Sequence, residues 1–547
     1  MRRPPSPTLW RVLRFLPALT VIVATVAVPT SPRAQSPAAE RLGKVHFDTS
    51  CAPSVTAEFD HAMALLHSFE FPEAIAGFER VLKDDPQCGI AAWGIAMSVW
   101  GNPFSGLRAP RVIQDGRAAI ERAQTIGAQS TREREYIAAV SLLYDNPTTT
   151  DQRTRTLAYE QAMERIATKY SDDLEAAAFY ALAIDQNALP TDKTFANQLK
   201  AAAILERLFA VEPEHPGVTH YLIHSYDVPP LAGRGLPYAR RYADLAPDAP
   251  HALHMPAHTF TRLGLWQESI DTNTRSHDAA IKRGDSGEAL HAMDYMVYAY
   301  LQTAQDTAAK RVADELAQII ARQPPPASGP GLAGGFPAAA IPARYVLERN
   351  RWSAAINLQA KPATQPYIEA ITHFARAMGA ARLERLDILK TELDQLAMLR
   401  DKEIVAKDLY WTTQVEIQRQ AVEAWMLWVQ GGKNQAIASM TQAATLEDTT
   451  EKSAVTPGPL APAHELLGDM LMEAKRPADA LKAYETALQK EPNRFRSIYG
   501  AGHAAELAGV ALKARSYYQQ LIKICERGER QIRPELDHAA SYVGGTR

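Results

Sequence analysis

Cysteine is scarce in this chain, with three in 547 residues, and none sits in a Cys-x-x-Cys pair. Zinc-ribbon and thioredoxin-like readings therefore have no support. A basic excess is missing too: the formal charge is −3, whereas a phosphate-binding surface normally declares itself by surplus Lys and Arg. Nucleic acid is not an expected partner. Strand-like alternation, a Gly-rich phosphate loop, a G-x-S-x-G elbow and a Rossmann fingerprint are likewise not found. After the N-terminal segment, no apolar run is long enough to span a bilayer.

That N-terminal segment, MRRPPSPTLWRVLRFLPALTVIVATVAVPTSPRAQ, has an Arg-bearing start, an apolar run from Phe15 to Val28 and a small-residue exit near Ala34. This pattern predicts a signal peptide over 1–34 and an exported protein, periplasmic or secreted. It carries Arg2, Arg3, Arg11, Arg14 and Arg33 and no acid, so the remaining chain is acidic. Few cysteines suit an exported protein that does not rely on a disulfide framework. Cys51 and Cys88 flank the first helical pair and could bridge.

What the chain does have is helix. Ala, Leu, Glu, Lys and Arg recur at a 3.6-residue period, broken by Pro and short polar loops. In APAHELLGDMLMEAKRPADALKAYETALQKEP, the residues Gly468, Ala480, Tyr484, Ala487 and Pro492 run small, small, aromatic, small, Pro. Gly502, Ala514 and Tyr518 repeat the pattern next, and Ala62, Ala74, Phe78 and Pro86 show it near the front. Small residues let paired helices approach, the aromatic fills the gap, and Pro closes the second helix.

These positions resemble the tetratricopeptide-repeat family, whose unit is a helical hairpin of about 34 residues. The resemblance implies an all-α solenoid of such hairpins wound as a right-handed superhelix. Residues 35–321 form one such solenoid and 343–547 a second, and RQPPPASGPGLAGGFPAAAIP at 322–342 is a linker or a long loop. The segments YLIHSYDVPP and HALHMPAHTFTRLGLW, with the signatures HYxIHxxD and HAxHMPxH, also resemble an exported bacterial subgroup of the family.

The histidines stand out against this frame. Of 15 in the chain, His220, His224, His251, His254 and His258 fall within 217–258. With Pro213 and Pro247 closing repeats, His220, His224 and Asp227 occupy the fifth, ninth and twelfth positions of one repeat. His251, His254 and His258 occupy the second, fifth and ninth of the next. The resemblance implies that these positions face the concave groove. His220 and His254 are 34 residues apart, as are His224 and His258, so each pair should lie side by side on neighbouring helices. A third helix adds His291 and, at i+3, Asp294, with Tyr295 beside them. Pro256 either kinks the second helix or starts it, and in the latter case His251 and His254 lie in a loop.

Clustered imidazoles with nearby carboxylates suit a divalent transition ion such as Zn, Fe or Cu. His220, His224, His254, His258, His291, Asp227 and Asp294 are thus the expected metal-binding residues. His251, Tyr295, Trp93 and Trp100 are possible further groove residues. A helical His-x-x-x-His without the internal Glu of HExxH gives no sign of metalloprotease chemistry. Two functions follow: a scaffold that binds a peptide, protein or small ligand in its groove around a metal site, or a metal-dependent hydrolase or oxidase using the same site.

Overall fold

Caps written in the sequence start many of the helices. Asp151, Asp173, Asp285 and Asp408 each accept a backbone N–H from the first turn of the helix that follows. Ser130 and Glu133 close a reciprocal capping box. Elsewhere Pro occupies the first turn, where its missing N–H costs nothing. The computed structural model describes residues 40–322 and 335–545, and the elements among them are all helical, without a strand. The signal peptide expected over 1–34 lies outside the described residues.

Each helix packs mainly on its sequence neighbours, as in a solenoid of hairpins. The expected small and aromatic positions meet as the repeat requires. Tyr484 lies between Gly468 and Gly500: a Cβ on either glycine would come within 2.6 Å of its ring. Phe78 sits likewise against Gly94, with Ala62 and Ala74 fully buried nearby. Cys51 and Cys88 are bridged, tying the segment before the first long helix to the start of Gly89–Trp100.

One large core runs from Leu42 to Phe260 and another from Ala304 to Ala539. Between them the helices Trp266–Arg283, Ser286–Gln302 and Asp306–Arg322 carry smaller clusters around Ile270 and Met293. Residues Arg41–Arg547 nevertheless make one compact unit. Of the linker or loop expected over 322–342, residues 323–334 lie outside the described residues, and 335–342 belong to the helix Gly335–Glu348. Phe336, Ala340 and Ile341 bury there, and Pro337 falls in the first turn, so the Pro-rich composition did not prevent a helix.

The segment 449–462 reaches back from the C-terminal core to cover the histidine-bearing helices. The Lys452 ammonium donates to Asp227 at 3.0 Å, and Lys193 donates to the Thr450 carbonyl at 2.8 Å. The Tyr295 hydroxyl donates to the carbonyls of Thr456 and Ala454 at 3.2 and 3.3 Å. Arg344 donates to the Thr456 hydroxyl at 2.7 Å.

Candidate metal centre

Three helical stretches present the histidines. Pro216–Ser225 is capped by the His215 ring and carries His220 and His224. Ser286–Gln302 is capped by Asp285 and carries His291. Between them, Pro250–His254 and Pro256–Arg262 join at Met255, which keeps right-handed helical backbone angles. The Met255 amide still reaches the His251 carbonyl at 3.0 Å, and the His258 amide reaches Met255 at 3.1 Å. Pro256 therefore kinks a helical course, and His251 and His254 are not in a loop.

All six rings are buried, His220 and His254 completely. They fall into two sets of three: His220, His224 and His251, and His254, His258 and His291. In each set one nitrogen per ring lies within 4.8 Å of the others. His224 packs beside His258 as the repeat spacing predicts, with ring centres 5.4 Å apart. The other predicted pairing is exchanged. His251 stands beside His220 at 5.2 Å, while His254 turns to His291 at 4.2 Å. The helical course is interrupted at Met255–Pro256, between His254 and His258, so the repeat spacing alone does not set which rings meet before that point.

Hydrogen bonds fix four of the tautomers. Nδ1 of His220 must donate to the His67 carbonyl at 2.7 Å, because a carbonyl only accepts. His251 Nδ1 donates to Glu288 at 3.2 Å and His258 Nδ1 to Asp227 at 2.9 Å. His254 Nδ1 donates to the Asn273 amide oxygen at 2.7 Å; the Asn273 amide nitrogen is engaged with the Ser269 carbonyl, which sets its orientation. Where such a ring is neutral, Nε2 is a bare lone pair. Those of His220 and His251 are buried without a partner, as are Nε2 of His224 and Nδ1 of His291. Nε2 of His254 and His258 face each other at 3.1 Å. Two bare lone pairs at that distance repel, and a cation between them would relieve the repulsion. Nitrogens about 2.0–2.1 Å from one ion lie roughly 3.0–3.4 Å apart.

Protonation does not relieve the cluster. Burial, followed by repulsion from neighbouring imidazoles, pushes His220, His224 and His254 well below the ordinary value. Burial lowers His291 to about 3. His258 is also lowered by burial, with Asp227 opposing. Burial would raise Asp227, but Lys452, Arg262 and His258 outweigh it and hold the carboxylate well below its usual range.

Asp227 thus orients a ring rather than facing a metal: its oxygens serve His258, Arg262 and Lys452. Asp294, expected on the same patch, turns to the helix Gly335–Glu348, where Arg344 donates to both its oxygens at 2.7 and 3.3 Å. A carboxylate so engaged is not available to the imidazoles. Tyr295 does stay with the cluster, its ring 4.6 Å from that of His254. Trp93 belongs to the front core, packed on Phe47, Tyr136 and Phe179. Trp100 packs on Tyr144 with Arg108 over its face.

Several participants gave no local signal in the sequence. Asn273, Glu288, Arg262 and Lys452 orient or neutralise the cluster from other helices or from 449–462. Phe69 and Phe104 wall His224 with their rings; the left-handed backbone of Phe69 (φ 58°) closes its helix as Ala304, Asn350, Glu384 and Lys475 close theirs. A cavity of about 30 Å³ opens against His224, His251, His258 and His291, bounded also by Asn102, Ser105 and Val455.

Residues 461–494 match the tetratricopeptide repeat family, the same stretch in which Gly468 and Tyr484 interlock. None of the curated proteins matches the chain significantly. Among solved structures, the human IFIT1 dimer with PPP-AAAA is similar at TM-score 0.37 and 12% identity, covering 76% of this chain and 87% of that one. The APC/C hetero-tetramer Cut9–Hcn1 is similar at TM-score 0.32 and 11% identity, covering 89% and 90%.

Proposed function

We propose that the protein is an exported tetratricopeptide-like scaffold that holds a transition metal, Zn, Fe or Cu, on His220, His224, His251, His254, His258 and His291. It groups with the exported bacterial proteins bearing the HYxIHxxD and HAxHMPxH signatures. The observation that carries the metal is the set of buried ring nitrogens without a partner on His220, His224, His251 and His291, together with the Nε2 atoms of His254 and His258 opposed at 3.1 Å. Imidazoles oriented by carboxylates and carbonyls are what such ions take. The Cys51–Cys88 bridge suits an oxidising compartment, and no described helix is long and apolar enough to cross a membrane.

Because 449–462 covers the cluster, the ligand met here is a small molecule rather than an extended peptide. Peptides or proteins would dock on other faces of the scaffold. The cavity beside four of the rings supports a second reading, a metal-dependent enzyme. A bound ion would supply Lewis-acid or redox chemistry to a molecule held there.

Elemental analysis of the purified mature chain tests the metal. The native protein should retain it in stoichiometric amount, and the His224→Ala/His258→Ala variant should lose it. Native protein without metal, even after loading with Zn(II), Fe(II) or Cu(II), would sink both readings. If metal is present, a screen for hydrolysis and oxidation separates enzyme from scaffold.

A further inference from the structure

The six imidazoles are not one crowded shell but two matched sets. In the first, the His67 carbonyl anchors His220 and the Glu288 carboxylate anchors His251. In the second, the Asn273 amide carbonyl anchors His254 and the Asp227 carboxylate anchors His258. Each set therefore has one ring held by a neutral carbonyl and one held by a carboxylate. The third ring of each set, His224 or His291, has a buried nitrogen without a partner and lines the shared cavity. The same two kinds of anchor recur in each set, as two separate ligand triads would have them.

Distance gives the same answer. Ligand nitrogens around one ion at about 2.1 Å cannot be more than roughly 4.2 Å apart. Within each set of three, one nitrogen per ring lies within 4.8 Å of the other two, close to that limit. The sets abut through His224 and His258, with ring centres at 5.4 Å, and through His251 and His254 at 5.8 Å.

From these observations we infer that the protein holds two transition-metal ions, one on His220, His224 and His251 and one on His254, His258 and His291, facing a common cavity. The inference rests on the metal reading above and adds the number of ions and their ligands. Three protein ligands leave each ion an open position. His224 and His251 from one set and His258 and His291 from the other border the cavity, so a molecule entering it meets both ions. The cavity is small, so the ligand class is a small molecule or anion with donor atoms for the two open positions, such as azide.

The test uses the full mature chain, stripped by chelator, loaded with Cu(II) and dialysed. Copper is counted per chain and the electron paramagnetic resonance spectrum recorded. Two coppers with a spin-coupled spectrum are expected in the native protein. His220→Gln and His291→Gln should each keep one copper, with the spectrum of an isolated ion. One copper in the native protein with no coupling would overturn the pair while leaving the metal reading intact. No copper would overturn both. Stoichiometry and coupling in the native chain decide the matter even if either variant does not fold.

Discussion

Replacing Asp294 by alanine separates structural roles from metal binding at the cluster's edge. Asp294 and Arg344 are both fully buried, and the guanidinium donates to both carboxylate oxygens. Burial pushes the carboxyl up, and Arg344 pulls it back. With the carboxylate gone, Arg344 keeps the Thr456 hydroxyl and the Pro459 carbonyl as neutral acceptors. Its charge is then uncompensated in a dry site, which costs about 3–5 kcal/mol. Removing both partners, as Asp294→Leu with Arg344→Met, should recover most of that loss, because no charge is stranded. Urea unfolding of the native, single and double variants measures the energies, and metal content is counted on the same samples. A large loss in Asp294→Ala with unchanged metal is the expected result. A loss below about 1 kcal/mol together with loss of metal would refute the ion pair and return Asp294 to the ligands.

Two further outcomes follow from the same geometry. Zn(II) affinity, measured by chelator competition, should fall no more than about tenfold between pH 7.5 and 5.5. Three rings titrating at the ordinary value of 6.5 would lose roughly a thousandfold, but His220, His224 and His254 lie well below it and His291 at about 3, so the folded chain has few protons to release. A thousandfold drop would mean the rings are not buried as described. In the repeats, Gly500→Ala should destabilise by about 1–3 kcal/mol, because the new Cβ would fall 2.5 Å from the Tyr484 ring; unchanged unfolding in urea would contradict the interlocked packing.

The helical repeat was legible because it is local. Gly468, Ala480 and Tyr484 meet within a single hairpin, so their spacing encodes their contact. The histidine cluster was legible for the same reason, since a period of 34 places His224 beside His258. Failure began where the period broke. The helical course is interrupted at Met255–Pro256, and His251 rather than His254 lies beside His220. His-x-x-Asp looked equivalent at His224 and His291, yet Asp227 is held by Arg262 and Lys452 while Asp294 is drawn away by Arg344. Lys452 is 225 residues from Asp227, and nothing near either residue announces the pairing.

That covering segment also bears on why the cluster is buried at all. A solenoid can leave polar groove residues to water at no cost, but here Lys452, Ala454 and Val455 close over a cluster in which His220, His224, His251 and His291 each keep a buried nitrogen without a partner. An unpaired buried imidazole nitrogen costs on the order of 1–3 kcal/mol, and this cluster carries four, besides the opposed pair at 3.1 Å. A purely structural cluster would satisfy these atoms, as His67, Glu175 and His215 do next door, where both ring nitrogens of His67 and both oxygens of Glu175 are matched. The contrast between a closed network and an open one, side by side in the same core, is what the proposed ligand reading rests on.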